Sequence, residues 1–142
     1  MKKASFIILT MVFLGISSMS AFLLAEDVPM ITKEQLNAIL DDPDLVIFDV
    51  RLGSDYFSSD SKIKGAIRPD RSALIGHTAS AYPKETIFVV YCSSANQEQS
   101  LLNAKLLIEG YKEFGHEPRK KVYVLKGGWQ EWLGADLPTQ EK

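Results

Sequence analysis

Apolar residues along the chain fall into short runs that alternate with helical patterns. Runs rich in β-branched and aromatic residues are typical of strands, and they lie at 45–51, 63–67, 86–91 and 122–125. Apolar positions at helical spacing predict helices over 32–40 and 101–108, with a weaker pattern over 72–82. Because predicted strands and helices alternate along the chain, we predict an α/β fold with a mainly parallel sheet.

The first predicted helix carries its own start signal. Thr32 is placed to cap the helix, and Gln35, three residues later, completes a capping box. Ile31 and Leu36 flank this cap and are spaced to form a hydrophobic staple. We expect the helix to end before Pro43, because the residue that precedes a proline disfavours helical geometry.

The chain has one cysteine, Cys92, directly after the apolar run 86–91. A small polar loop follows it and leads into the predicted helix 101–108. In open α/β sheets, sites lie at the carboxyl ends of the strands. Loop N–H groups and a helix N-terminus at this point can hold an anion and favour thiolate over thiol. Cys92 is therefore a candidate nucleophile, and a buried structural cysteine is the alternative.

Three charged side chains lie near the same predicted edge of the sheet. Asp49 and Arg51 end the run 45–51, and Arg68 follows the run 63–67. Arg51 either adds positive potential to the site or, together with Asp49, hydrogen-bonds loop backbone as a structural element. Arg68 is a candidate for attracting an anionic substrate if its loop borders Cys92, and is otherwise a solvated surface charge.

Residues 1–25 have the pattern of a secretory signal peptide, with two lysines, an apolar uncharged segment and then small residues. The uncharged segment 4–25 is also long enough to be an uncleaved membrane anchor. Both alternatives place a single domain over 27–142 outside the cytoplasm, as in a periplasm. An exported chain with one cysteine cannot form an internal disulfide, which favours a reactive thiol at Cys92.

Charge and histidine content limit the remaining functions. The formal charge is −2 and the sequence has no basic stripe, so we expect no nucleic-acid partner. His77 and His116 lie in polar stretches and have no partner at ligand spacing. We therefore predict no metal site, and nothing in the sequence calls for a cofactor.

Several short motifs, taken in order, match one family. They are Ile31-Thr32-x-x-x-Leu36, Phe48-Asp49-Val50-Arg51, Ile63-x-Gly65-Ala66-Ile67, Val90-Tyr91-Cys92 and Val122-Tyr123-Val124-Leu125-Lys126-Gly127-Gly128-Trp129-x-x-Trp132. From about Ile31 to Thr139 the chain resembles a single rhodanese-like domain. The resemblance implies a sheet of about five mainly parallel strands with helices on both faces.

The resemblance also implies sulfurtransferase chemistry at Cys92, which would carry a sulfane sulfur as a persulfide. A small donor such as thiosulfate would supply the sulfur, and a thiol or a cyanide-like nucleophile would accept it. A protein thiol is a further type of acceptor, and a membrane is a partner only if segment 4–25 is retained. The anionic persulfide would be held by the loop N–H groups of Ser93, Ser94, Ala95, Asn96, Gln97 and Glu98.

The loop departs from the commonest family pattern. Segment 93–100 has no arginine or lysine, and it is closer to the family variant Cys-x-x-Pro-Asn-Glu-x-x-Ser, which Asn96 and Ser100 match. A binding or thiol-sensing module without catalysis is therefore an alternative. A cysteine phosphatase is disfavoured, because Glu98 occupies the position six residues after Cys92 where the phosphate-binding arginine is needed. A thioredoxin-like reductase lacks its second cysteine.

Overall fold

The computed structural model of the chain describes residues 28–69, 75–93, 97–110, 115 and 117–142. The leader predicted over 1–25 lies outside these residues, so its role as signal peptide or anchor stays a prediction. In the described ranges, no helix is both long enough and apolar enough to cross a membrane.

Strands and helices alternate along the described chain. The strands are β1 (Met30–Ile31), β2 (Leu45–Asp49), β3 (Ser61–Ile63), β4 (Ile87–Tyr91), β5 (Val122–Leu125) and β6 (Thr139–Glu141). The helices are α1 (Lys33–Ala38), α2 (Gly53–Phe57), α3 (Ile75–Ser80), α4 (Glu98–Glu109) and α5 (Gly128–Gly134). The α/β class is therefore as predicted, while β1 and β6 were not anticipated from the hydrophobic pattern because they are very short.

The main sheet of the described residues has the order β1-β5-β4-β2, and all of its pairs are parallel. β4 lies inside the sheet, with Asp49 of β2 opposite Tyr91 and Val124 of β5 opposite Val90. A strand paired on both edges and buried on both faces requires a continuous apolar run. This explains why segment 86–91 has the strongest strand signal in the chain.

The predicted strand 63–67 is wrong in its limits. The strand covers Ser61–Ile63 and pairs antiparallel with β6. Gly65 then turns the chain with a φ of 79°, which only glycine adopts at little cost, and Ile67 meets Phe48 in a single parallel bridge. Among the described residues, the sheet thus has four strands and one bridging residue beside β2, where the resemblance implied about five strands.

Hydrophobic clusters cover the two faces of the sheet. On one face, Phe48, Phe88 and Val90 pack with buried residues of α3 and α4. On the other face, Val89 and Tyr91 pack with buried residues of α1 and α5. Helices on both faces are what a parallel sheet needs to bury its alternating side chains.

The starts of two helices can be compared with their predictions. The capping box of α1 is confirmed, since Thr32 Oγ1 accepts from the Gln35 N–H and Gln35 Oε1 accepts from the Thr32 N–H. The start of α4 is earlier than predicted, at Glu98 instead of Leu101. This difference places Glu98 and Ser100 in the first turn of the helix.

A buried ion pair closes the carboxyl end of β2. Arg51 is 1% exposed and donates through Nη2 to Asp49 Oδ2 at 2.6 Å and to the Ser61 carbonyl at 3.1 Å. Tyr91 donates its hydroxyl to Asp49 at 2.7 Å, which joins β2 to β4. Burial and the negative charge of Asp49 raise the pKa of Tyr91, so its hydroxyl remains a donor. Burial alone would lower the pKa of Arg51, but its hydrogen bonds and ion pair with Asp49 raise it.

We predict that Asp49→Asn lowers the free energy of unfolding by about 3 kcal/mol or more, because it leaves the Arg51 charge buried and unpaired. Guanidinium or urea unfolding measures this change. The matched control is Asp41→Asn, which breaks an exposed pair with Lys64 at 3.0 Å and should cost less than about 1 kcal/mol. Equal costs for the two variants would contradict a structural role for the Asp49–Arg51 pair.

Candidate functional site

Cys92 lies immediately after β4 and is 2% exposed. Its carbonyl accepts a hydrogen bond of 2.8 Å from the Trp129 N–H, which comes from the first turn of α5. The backbone around the sulfur is therefore held by the sheet on one side and by α5 on the other. In this fold class, sites lie at the carboxyl ends of the parallel strands, and Cys92 occupies such a position.

The sulfur of Cys92 faces α4. Ser100 Oγ lies 3.4 Å from Cys92 Sγ, and Ser100 is completely buried. The Ser100 hydroxyl also donates to the Gln97 carbonyl at 2.8 Å, and the same carbonyl accepts the Leu101 N–H at 2.9 Å. Gln97 adopts a left-handed conformation with φ 55°, which turns the loop into the helix.

This arrangement gives Ser100 a choice of acceptor. A hydroxyl has one hydrogen, which goes to Gln97 while the sulfur is a thiol. When the sulfur is a thiolate, the hydroxyl can rotate and donate to it instead. Gln97 then keeps the Leu101 N–H, so no buried carbonyl loses its last hydrogen bond. Ser100 therefore offers the sulfur a hydrogen-bond donor beside the N-terminal end of α4.

The loop after Cys92 contacts α2. Ser93 donates its hydroxyl to Asp55 in a short hydrogen bond. Asp55 is exposed, so this contact brings a carboxylate to the border of the site. Ser94, Ala95 and Asn96, which were predicted to hold the persulfide through their N–H groups, lie outside the described residues. The roles of the N–H groups of Ser93, Gln97 and Glu98 likewise stay predictions.

Arg51 and Asp49 lie on the face of the sheet opposite to α4. Along β2 and β4 the side chains alternate, so Asp49, Arg51 and Tyr91 share the face that packs on α5, with the Arg51 guanidinium 4.6 Å from the centre of the Trp129 ring. The contacts of Arg51 and Asp49 are therefore those of the structural alternative, in which these side chains hydrogen-bond within the fold. A contribution of the Arg51 charge to anion binding remains a prediction.

Arg68 lies at the same edge of the sheet as Cys92, next to the end of β2. Its Nη1 donates to the Arg51 carbonyl at 3.0 Å, and its guanidinium stacks at 3.9 Å from the centre of the Tyr56 ring. The Arg68 side chain is 21% exposed. It is therefore a fixed and partly accessible cation, and it also lies 4.0 Å from Asp49 Oδ1. Attraction of an anionic substrate by Arg68 stays a prediction.

Sequence reasoning missed three contacts of the site. Ser100 was noted only as a motif match, although its position in the first turn of α4 places its hydroxyl 3.4 Å from the sulfur. Asp55 and the side chain of Gln97 carried no local signal, because their partners, Ser93 and Gly127, are 38 and 30 residues away. Where the chain is described, no group of three His, Cys, Asp or Glu side chains is placed to hold a metal ion.

The chain is similar to one protein family in sequence and to solved structures in fold. A sequence model of the rhodanese-like domain matches residues 32–135. No curated protein sequence matches the chain. Among solved structures, the rhodanese-like domain of the Alr3790 protein from Anabaena sp. is similar, with 28% identity, a TM-score of 0.58 and 80% of each chain covered.

Two further solved structures share the fold. A protein of unknown function from Rhodopseudomonas palustris, described as a possible tyrosine phosphatase, has 25% identity and a TM-score of 0.57, with 80% of this chain and 85% of that chain covered. Thiosulfate sulfurtransferase from Pseudomonas aeruginosa has 23% identity and a TM-score of 0.60. That match covers 80% of this chain and 20% of the sulfurtransferase, and at this identity it shows the fold alone.

We predict that Ser100→Ala slows alkylation of Cys92 by iodoacetamide about tenfold, because the variant removes the hydroxyl 3.4 Å from the attacking sulfur and a hydrogen bond to a charged group is worth about 1.5–3 kcal/mol. Ser80→Ala, which removes an exposed hydroxyl bonded to the His77 carbonyl, is the control. An unchanged alkylation rate in Ser100→Ala would contradict a hydrogen bond from Ser100 to the reacting sulfur.

Proposed function

We propose that this chain, which belongs to the rhodanese-like domain family, is a sulfurtransferase that carries a sulfane sulfur as a persulfide on Cys92. The observation that carries the proposal is the environment of Cys92 Sγ. The sulfur lies 3.4 Å from the Ser100 hydroxyl, next to the N-terminus of α4 and at the end of an internal strand. A sulfur that is packed only for stability has no need of a buried hydroxyl that can donate to it.

The first step is attack of the Cys92 thiolate on the outer sulfur of a donor such as thiosulfate. A bond forms between Cys92 Sγ and that sulfur, while the S–S bond of thiosulfate breaks and its electron pair leaves with sulfite. The total charge is unchanged, because a thiolate and a dianion become a persulfide anion and a sulfite dianion. The Ser100 hydroxyl and the dipoles at the start of α4 would stabilise the persulfide anion.

The second step returns the enzyme to its starting state. A nucleophilic acceptor, such as cyanide or a thiolate, attacks the outer sulfur of the persulfide. The S–S bond at Cys92 breaks and its electron pair restores the Cys92 thiolate. Since the two half-reactions share one covalent intermediate, ping-pong kinetics are expected.

Phosphatase activity is not favoured by the residues of the site, although one structural neighbour is described as a possible tyrosine phosphatase. Glu98, six residues after Cys92, is exposed in the first turn of α4. Its carboxylate would repel a phosphate group instead of clamping it. Arg68, a partly accessible cation beside the end of β2, does not belong to the loop after Cys92.

We predict that incubation with thiosulfate adds the mass of one sulfur atom to the purified protein, as measured by intact mass spectrometry. Cyanide or a thiol should remove the added mass. Cys92→Ser is the control and should gain nothing, because Cys92 is the only cysteine. If neither thiosulfate nor polysulfide adds sulfur, the transferase proposal fails and a thiol-sensing or binding module is favoured.

We also predict that Arg68→Ala raises the apparent KM for thiosulfate roughly threefold to tenfold, because loss of a partly exposed cation removes on the order of 1 kcal/mol of attraction. Persulfide should still form at saturating donor. The matched control is Lys120→Ala, which removes an exposed cation at the opposite end of β5. An unchanged KM for Arg68→Ala would remove Arg68 from the donor site.

A further inference from the structure

A cleft of about 430 Å³ opens beside the Cys92 loop, between α1 and α5. We call it the α1–α5 cleft, and the residues used below are Lys33, Glu34, Gln97, Lys126, Gly127 and Glu131. Lys33 follows the end of β1 and Lys126 follows the end of β5. The cleft therefore lies at the carboxyl edge of the parallel sheet, on the same edge as Cys92.

Hydrogen bonds tie the cleft to the loop that carries the sulfur. The Gly127 N–H donates to Gln97 Oε1 at 3.1 Å, and the Trp129 N–H, two residues further on, donates to the Cys92 carbonyl at 2.8 Å. Gln97 lines the cleft, and its carbonyl also accepts a hydrogen bond from the Ser100 hydroxyl. A ligand in the cleft would thus sit against the same loop as the persulfide.

The backbone conformation and surroundings of Gly127 favour glycine at this position. Its φ is 77°, and a Cβ added to it would lie 2.1 Å from Glu131 Cγ. Because Gly127 has no side chain, Glu131 crosses it and pairs with Lys33 at 2.9 Å. This ion pair joins α1 to α5 and keeps the two sides of the cleft at a set distance.

The cleft carries charges of both signs. Lys33 is already engaged by Glu131 and lies 3.6 Å from Glu34, and its hydrogen bond to Glu131 raises its pKa. Lys126 is exposed, and within the described part of the chain no side-chain ion pair or hydrogen bond holds its ammonium. Glu34 is 71% exposed. One accessible cation and one accessible carboxylate therefore face the same space.

We propose that the α1–α5 cleft is the acceptor subsite and that it takes a small zwitterionic thiol of the amino-acid type. Lys126 would bind the carboxylate of the thiol, and Glu34 would bind its ammonium group. A purely anionic donor such as thiosulfate is a poorer occupant, because it has no ammonium group to offset the negative charge of Glu34. This inference rests on the proposed function and names the class of acceptor for it.

Transfer of the sulfur from Cys92 to the acceptor needs no further reagent. The thiol of the acceptor loses its proton to solvent, and its thiolate attacks the outer sulfur of the Cys92 persulfide. An S–S bond forms on the acceptor, the S–S bond at Cys92 breaks, and the electron pair stays on Cys92 as thiolate. The acceptor leaves as a persulfide.

The first test measures binding without sulfur transfer. The probe is S-methylcysteine, a zwitterion with no thiol, added to the Cys92→Ser protein and followed by amide NMR. We expect saturable shifts of the Gln97 and Gly127 amide signals, with affinity about fivefold to tenfold weaker in Lys126→Ala. Lys120→Ala, at the other end of β5, should bind as the unmodified Cys92→Ser protein does. No saturable shift would overturn the subsite, even if persulfide forms on Cys92.

The second test measures single-turnover transfer from the persulfidated protein. Transfer to cysteine should be about fivefold to tenfold slower in Lys126→Ala and in Glu34→Gln, while transfer to 2-mercaptoethanol should not change. N-acetylcysteine amide, a neutral stand-in for a protein thiol, should show no dependence on Lys126. Equal losses for all thiols would overturn the assignment of these two side chains. Binding of S-methylcysteine without any persulfide formation would instead overturn the proposed function and leave the subsite in place.

Discussion

A buried carboxylate–guanidinium pair holds the functional end of the sheet together. Asp49 accepts hydrogen bonds from Arg51 and from the Tyr91 hydroxyl, and so it links the end of β2 to the end of β4. Taking both charges out of water is expensive, and the hydrogen bonds among them are what offset that cost. Within the described residues, one atom of the cluster, Arg51 Nη1, is buried without a hydrogen-bond partner, and the face of Trp129 lies against the guanidinium.

The alternation of side chains along β4 separates the buried charges from the sulfur. Tyr91 points toward Asp49 and α5, whereas the next residue, Cys92, presents its sulfur to Ser100 of α4. The charges of Asp49 and Arg51 therefore offset each other on one face, and a buried hydroxyl lies against the sulfur on the other.

The loop after the cysteine extends this arrangement to the surface. Ser93 reaches Asp55 of α2, and Gln97 reaches Gly127 at the start of α5. The loop is thus attached on two sides to elements that are distant in sequence. Asp55 directly precedes Tyr56, whose ring lies against the Arg68 guanidinium, and Gln97 lines the α1–α5 cleft.

Local patterns determined much of the fold. The capping box of Thr32 and Gln35 needs only neighbouring residues, and it is formed as predicted. The apolar runs 45–51, 86–91 and 122–125 identified three strands of the sheet. A strand that is buried on both faces is apolar at successive positions, so it stands out in the sequence. The run 63–67 was misjudged, since the positive φ of Gly65 breaks the strand and pairing with β6 depends on residues near the end of the chain.

For the site, the sequence by itself predicted which atom would react: the sulfur of a lone cysteine at the end of a buried run, followed by a polar loop and a helix. The tertiary structure alone decided what surrounds that atom. The contacts of Ser93 with Asp55 and of Gln97 with Gly127 span dozens of residues, and Arg51 turned away from the sulfur because Asp49 lies beside it on the same face. The physical reason is range: capping and hydrophobic periodicity act within a few residues. The hydrogen bonds and charges of this site join segments that become neighbours only when the sheet assembles.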